Sequence, residues 1–121
     1  MKKSKGGFRR GDIILAGFPF TDLSSHKLRP ALIISGPGSD YIIVGIFSQK
    51  LAFKKLNPTW LLIEDDGSPF FKQSGLKTTS ILKAEKIAVV HYSIIQRRLG
   101  KVTDDFMRKV ELVLKKALQF K

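Results

Sequence analysis

Apolar residues along this chain gather in short runs of strand length and take up a helical period only near the C-terminus. Ile13 to Phe18, Ala31 to Ser35, Tyr41 to Phe47 and Thr59 to Ile63 are β-branched or aromatic runs of strand length. Thr79 to Leu82 and Ile87 to Val90 read as two further short strands. Turn signals separate them: "GPGSD" at Gly36 to Asp40 and the acidic Glu64-Asp65-Asp66-Gly67. Thr21 to Leu28 reads as a loop, Gln49 to Pro58 as a basic irregular stretch, and Pro69-Phe70-Phe71 leads into another loop. Ser93 to Gln96 predicts one helical turn before Gly100.

The last segment is a helix by every local criterion. Thr103 suits an N-cap, Asp104 and Asp105 favour the positive end of the helix dipole, and Lys115, Lys116 and Lys121 favour the other. Phe106, Val110, Val113, Leu114, Ala117 and Leu118 form one stripe, with Met107 and Leu112 off it. Short strands followed by one amphipathic helix predict an α+β, mainly β, fold: a strongly bent antiparallel sheet or small barrel carrying a C-terminal helix. Residues 1–10, with five basic side chains and Gly6-Gly7, predict a flexible basic arm, and 11–121 a single domain.

Composition then narrows the chemistry. Hydrophobic residues make up 43% and charged residues 26%, as in a folded globular chain. Cysteine is absent, which excludes disulfides and thiolate metal sites, and His26 and His91 are too far apart to form a ligand pair, so no metal and no cofactor is expected. The basic start resembles a signal peptide only superficially, because Asp12 precedes a short apolar run that ends at Pro19 and Asp22. No apolar run reaches membrane length, and a cytoplasmic location is expected. The formal net charge of +12 favours a polyanionic partner, nucleic acid above all.

Recognised motifs for acyl transfer, nucleotide binding or zinc proteolysis are missing. What stands out is "KLRPALIIS", Lys27 to Ser35. The residue before proline is held extended, so Arg29 hangs from a stiff strand start, and its fork matches a phosphate. On pattern alone, Arg29 is either a solvated charge before a strand or a phosphate ligand.

"RRGDIILAGFPFTDLSSHKLRPALIIS", Arg9 to Ser35, resembles the N-terminal signature of the MazF/PemK toxin family, in which a G-D-I strand precedes a K-x-R-P-A-L block. "IIVGIFSQ", Ile42 to Gln49, is similar to the family's I-T-S-Q segment. "GLKTTSILKAEKIAVV" and "RRLGKVTDDFMRKVELVLKKAL" are similar to its later strand and closing helix. The resemblance implies an SH3-like barrel of the MazF/CcdB type, usually a homodimer. It implies the toxin of a toxin–antitoxin pair: a metal-independent endoribonuclease that cuts single-stranded RNA to 2′,3′-cyclic phosphate and 5′-hydroxyl ends. It also implies an antitoxin partner, which against this charge should present an acidic segment.

By this resemblance Arg29 takes the place of the family's essential arginine, stabilising charge and donating to the leaving oxygen. Ser48 supplies the hydroxyl of the I-T-S-Q segment, and Gln49 matches its glutamine. Lys27, Lys50, Lys54 and Lys55 would position RNA, Phe53 would offer a stacking surface, and Ser80 would lie in the groove. Trp60 reads as core or dimer contact. The chain departs from the pattern in two places. Phe47 stands where the family has threonine, and "SSHK" replaces an acidic loop residue, leaving His26 as a substitute base. Two readings stay open: cleavage that relies on Ser48, or a non-catalytic RNA- or protein-binding member of the fold.

Overall fold

The computed structural model describes residues 7–17, 27–36, 38–48 and 56–121. Among the described residues, six strands and two helices follow in the order β1 (Asp12–Gly17), β2 (Leu28–Ser35), β3 (Asp40–Ser48), β4 (Trp60–Ile63), α1 (Pro69–Ser74), β5 (Ser80–His91), β6 (Ile95–Lys101) and α2 (Asp104–Leu118), with a 3-10 turn at Tyr92–Ile94 before β6. All pairings are antiparallel in one sheet ordered β4-β5-β3-β2-β1-β6. The sheet does not close, so the expected barrel is an open, curled sheet with β4 and β6 at its edges.

The curl has a local cause. β3 advances only from Val44 to Ile46 while its partner runs from Ile87 back to Leu82, so β5 carries extra residues in a bulge. The bulged residues Lys83 to Lys86 are mostly polar, which made one twelve-residue strand look like two short ones. Two apolar clusters fill the two faces of the bent sheet. Leu32, Val44, Ile46 and Leu82 meet Phe106, Val110 and Val113 of α2 on one face. Ala31, Ile33, Ile43 and Tyr41 gather with Ile14 and Ile95 on the other.

Three other sequence expectations need correction. Pro69 to Ser74 forms a helix rather than a loop, because Ser68 caps it by accepting from Phe71 N at 3.2 Å and Pro69 suits the first turn. The segment after the 3-10 turn is strand β6, whose polar residues Gln96 to Arg98 obscured its period. Met107 is buried against the sheet, because the apolar face of α2 is wider than the stripe read from sequence, whereas Leu112 is exposed as expected.

Phe8 to Arg10, assigned to a flexible arm, are fastened. Phe8 meets Tyr41 edge to face at 5.9 Å, and Arg10 pairs with Glu111 of α2. The nearly buried carboxylate of Asp12 accepts from Arg9 N at 2.9 Å and from Arg98 Nε at 3.1 Å. The G-D pair at the start of the domain therefore has a structural role. Among the described residues no helix is long and apolar enough to cross a membrane.

The end of α1 presses on β6 backbone to backbone. A Cβ placed on Gly100 would lie 2.2 Å from Gln73 O and 2.4 Å from Ser74 C. Gly100→Ala should therefore destabilise the fold by roughly 1–3 kcal/mol or more, the range for forced overpacking. Urea unfolding checks it: a midpoint equal to wild type would mean that α1 moves freely away from β6.

Candidate active site

Period-two alternation divides the polar side chains of β2, β3 and β5 between the two faces of the sheet. Ala31 and Ile33 point into one core cluster, so Arg29, two residues earlier, shares their face. Continuing the pairing of Ala31 with Gly45 sets Arg29 opposite Phe47. The guanidinium carbon lies 5.9 Å from the centre of the Phe47 ring, within cation–π range. Lys83 Nζ lies 4.9 Å from the same ring and 4.5 Å from the ring of Trp60. Trp60 and Lys83 are directly paired across β4 and β5. Trp60, Lys83, Phe47 and Arg29 thus form a row of alternating rings and cations across four adjacent strands.

Glu85 fixes one end of this row. Its carboxylate accepts from Trp60 Nε1 at 2.7 Å and from Thr59 Oγ1 at 2.8 Å. Partial burial pushes the Glu85 carboxyl up, but those two donated bonds, helped by its own backbone and the Lys83 charge, outweigh burial and hold it below its ordinary value.

Ser48 lies on the other face. It pairs with Ser80 across β3 and β5, and both border a cavity of about 300 Å³ with Thr78, Lys77 and Arg97 over an apolar floor that includes Leu15 and Pro30. Ser80 is almost fully buried and its hydroxyl donates to Thr78 O at 2.9 Å. Arg29 borders this cavity too, while its guanidinium is on the ring side. The hydroxyl expected to work beside Arg29 therefore faces away from it, because adjacent residues of a strand point to opposite faces. A larger, more open depression of about 580 Å³ lies between the N-terminal segment and α2, but Arg10 and Arg98 on its wall are paired with Glu111 and Asp12.

Among the other residues singled out from sequence, Lys27 is exposed immediately before β2. Gln49, Lys50, Phe53, Lys54, Lys55 and His26 lie outside the described residues. Trp60, expected in a core or dimer contact, belongs to neither apolar cluster and stands in the cationic row. Lys83, Glu85 and Arg97 were not foreseen. Lys83 and Glu85 follow the alternation of "ILKAE", but only the β4–β5 register shows that they meet Trp60.

The sequence model described as "PemK-like, MazF-like toxin of type II toxin-antitoxin system" matches residues 9–118. The chain belongs to the MazF/PemK toxin family. Among solved structures, the fold of this MazF/PemK member is similar to that of an endoribonuclease in complex with its cognate antitoxin from a mycobacterial species. The TM-score is 0.68 at 21% identity over 93% of this chain and 96% of that one. It is also similar to the Mycobacterium tuberculosis toxin MazF-mt6, with a TM-score of 0.68 at 13% identity over 91% and 98% of the two chains. Against a MazE–MazF structure from Deinococcus radiodurans the TM-score is 0.64 at 13% identity over 93% and 96%. No curated protein sequence matches the chain. Within the MazF/PemK pattern, the fold places Phe47, not a hydroxyl, beside the arginine of the R-P-A-L block.

The Glu85 contacts give a pH signature. A carboxyl held below its ordinary value adds order that is complete above that value and is lost as pH falls through the lowered one. Emission from Trp60, the single tryptophan, should change on acidification with a midpoint below the ordinary glutamate range, and Glu85→Gln should abolish that step. An identical titration in the variant would assign the step to another group.

Proposed function

We propose that this protein is the toxin of a type II toxin–antitoxin pair and acts as an endoribonuclease on single-stranded RNA without a metal. The observation that carries the reading is Arg29. It is the arginine of the family's R-P-A-L block, it is held at the stiff start of β2, and it fronts a basic, ring-backed strip of sheet. Membership of a toxin family and similarity to the fold of an endoribonuclease support the same reading.

The chemistry needs little from the protein because RNA carries its own nucleophile. The ribose 2′-oxygen forms a bond to phosphorus as the bond from phosphorus to the 5′-oxygen breaks. The 2′-hydroxyl proton leaves to solvent, and the 5′-oxygen takes up a proton as it departs. The products are a 2′,3′-cyclic phosphate and a 5′-hydroxyl. Negative charge gathers on the non-bridging oxygens along the way, and a fixed guanidinium stabilises it more than water does. Arg29 keeps its proton and acts through charge and hydrogen bonds, including one to the leaving oxygen.

Ser48 is proposed as a donor to the part of the RNA that enters the cavity, with Ser80 deeper in the same wall. Lys27, Gln49, Lys50, Lys54 and Lys55 are proposed to track the RNA backbone and Phe53 to stack on a base. The proposed assembly is a cytoplasmic homodimer silenced by an antitoxin whose acidic segment covers the cationic row.

One observation favours a second reading, a non-cleaving member of the family that binds RNA or a protein: the Phe47 ring occupies the position beside Arg29 where the family carries a hydroxyl.

Cleavage of a long unstructured RNA in excess chelator tests the first reading. Arg29→Ala should lower the rate about 10²–10³-fold, the usual effect of removing one preorganised donor to a transition-state oxyanion. The fragments should accept a 5′-phosphate from a kinase without prior dephosphorylation. Equal rates for the two proteins would remove Arg29 from the mechanism. The second reading is tested by Phe47→Thr: a silent wild type that gains strong cleavage on this change identifies a degenerate toxin.

A further inference from the structure

The cavity beside Ser48 and Ser80 is built on the face of the sheet that the Arg29 guanidinium avoids. Leu15 pairs with Pro30 on one side and with Arg97 on the other. Continuing the pairing of Ala31 with Gly45 sets Ile46 opposite Pro30. Ile46, Pro30, Leu15 and Arg97 thus form a stripe across β3, β2, β1 and β6 that is apolar until it ends in a guanidinium. The other wall is the segment from Gly75 to Thr78 after α1. Gly75 has a φ of 75° and lies so near β6 that a Cβ on it would strike the Leu99 carbonyl. Leu76 is buried, and its N–H donates to the buried Ser74 hydroxyl at 3.2 Å. Backbone packing holds this wall, so the cavity is formed in advance of any ligand.

Its polar groups have one sense. Among the described residues, no hydrogen bond or ion pair takes up the Arg97 guanidinium or the Lys77 ammonium. Both are donors only. The Ser48 and Thr78 hydroxyls give or accept, the Ser80 hydroxyl is committed to Thr78 O, and no carboxylate borders the space. A phosphate would gain from the rim but lose its hydration against Leu15 and Pro30. What fits is a flat apolar body with acceptors along one edge. At about 300 Å³ the cavity lies at the lower limit of ordinary small-ligand sites, which suits one base and not a run of chain. Leu28 and Arg29 at the start of β2 and Ser48 at the end of β3 all border it. RNA held by Arg29 therefore reaches it around the strand ends.

We propose that this cavity reads one base of the RNA: a nucleotide beside the bound phosphate turns its base around the ends of β2 and β3, lays it against Pro30 and Leu28, and presents a keto oxygen to Arg97. Guanine and uracil carry such an acceptor, and guanine adds N7 for a two-pronged contact with the fork. Adenine and cytosine would set an amino group against two cations. Arg97 is thus a specificity residue on β6, with Lys77 a second donor at the rim. The inference rests on the ribonuclease reading above for RNA as the ligand. It goes further by naming the class of base and the side chain that selects it.

The test uses the full chain as wild type, Arg97→Met and Arg97→Lys. Affinity is measured for uncleavable 2′-O-methyl oligo-A in which one A is replaced by U, G or C. One U or G should tighten binding to the wild type about 10-fold, the usual effect of a good contact to a base edge, and one C should not. The stronger of the two names the base. Arg97→Met should erase the difference between the oligonucleotides, and Arg97→Lys should keep part of it. Cleavage of a long unstructured RNA, with each position around the cut varied in turn, should show the same preference at one fixed position.

Equal affinity for the U, G and C oligonucleotides overturns the inference. Cleavage without a base preference also overturns it and leaves the ribonuclease reading intact. An Arg97→Met protein that weakens on every oligonucleotide but still separates them marks Arg97 as a backbone contact, and the inference falls. Keto-selective binding that depends on Arg97 in a protein that never cuts keeps the base site and removes the ribonuclease reading. Matched thermal unfolding of the variants and wild type excludes a folding defect as the cause of any loss.

Discussion

Strand β3 is buried on both faces, and the register that this imposes governs everything around it. Ile43 and Val44 are adjacent, point in opposite directions, and are both fully inaccessible. A slip of one residue would carry each into the wrong core, so pairing with β2 and β5 is strongly specified. The same register runs on to the end of the strand, where packing no longer demands it, and there it assigns Phe47 to Arg29 and Ser48 to Ser80. The hydrophobic effect thus decides which polar groups can cooperate, although it acts on none of them directly.

The outer elements serve that central pairing. The bulge in β5 bends the sheet, allowing two small cores instead of one broad flat face. α2 covers one core with its apolar face, while the chain near Phe8 closes the end of the other. The ion pairs Arg10–Glu111 and Arg98–Asp12 join the beginning of the domain to α2 and to β6. Exposed ion pairs add little to stability. Asp12 is nearly buried and accepts two hydrogen bonds, so it fixes the entrance to β1 more firmly than its charge alone would.

Much of this was legible along the chain, and what was hidden has a physical reason. Strands β1 to β4 declare themselves through apolar, β-branched or aromatic runs, and helix α2 through its stripe and its capping. β6 did not, since Gln96 to Arg98 are exposed and its period is lost among polar residues. β5 was split by its own bulge. In the site, Arg29 could be found because proline marks it. Lys83 could not, because its meaning comes from Trp60 and Phe47 on two other strands, and pairing between distant segments leaves no mark on local pattern. The alternation of Phe47 and Ser48 was readable, yet its consequence needed Arg29 to be placed on one side.

Phe47 also bears on how such a protein can change over time. Its ring touches the charges of both Arg29 and Lys83, and Lys83 touches Trp60 as well, so no member of the row keeps its environment when another is replaced. Substitutions within such a set do not add. With Arg29 alone, an aromatic residue at position 47 has a single cation–π partner. With the lysine in place, the same replacement creates a shared platform. The effect of a substitution at position 47 therefore depends on the side chain at position 83, and the reverse holds equally.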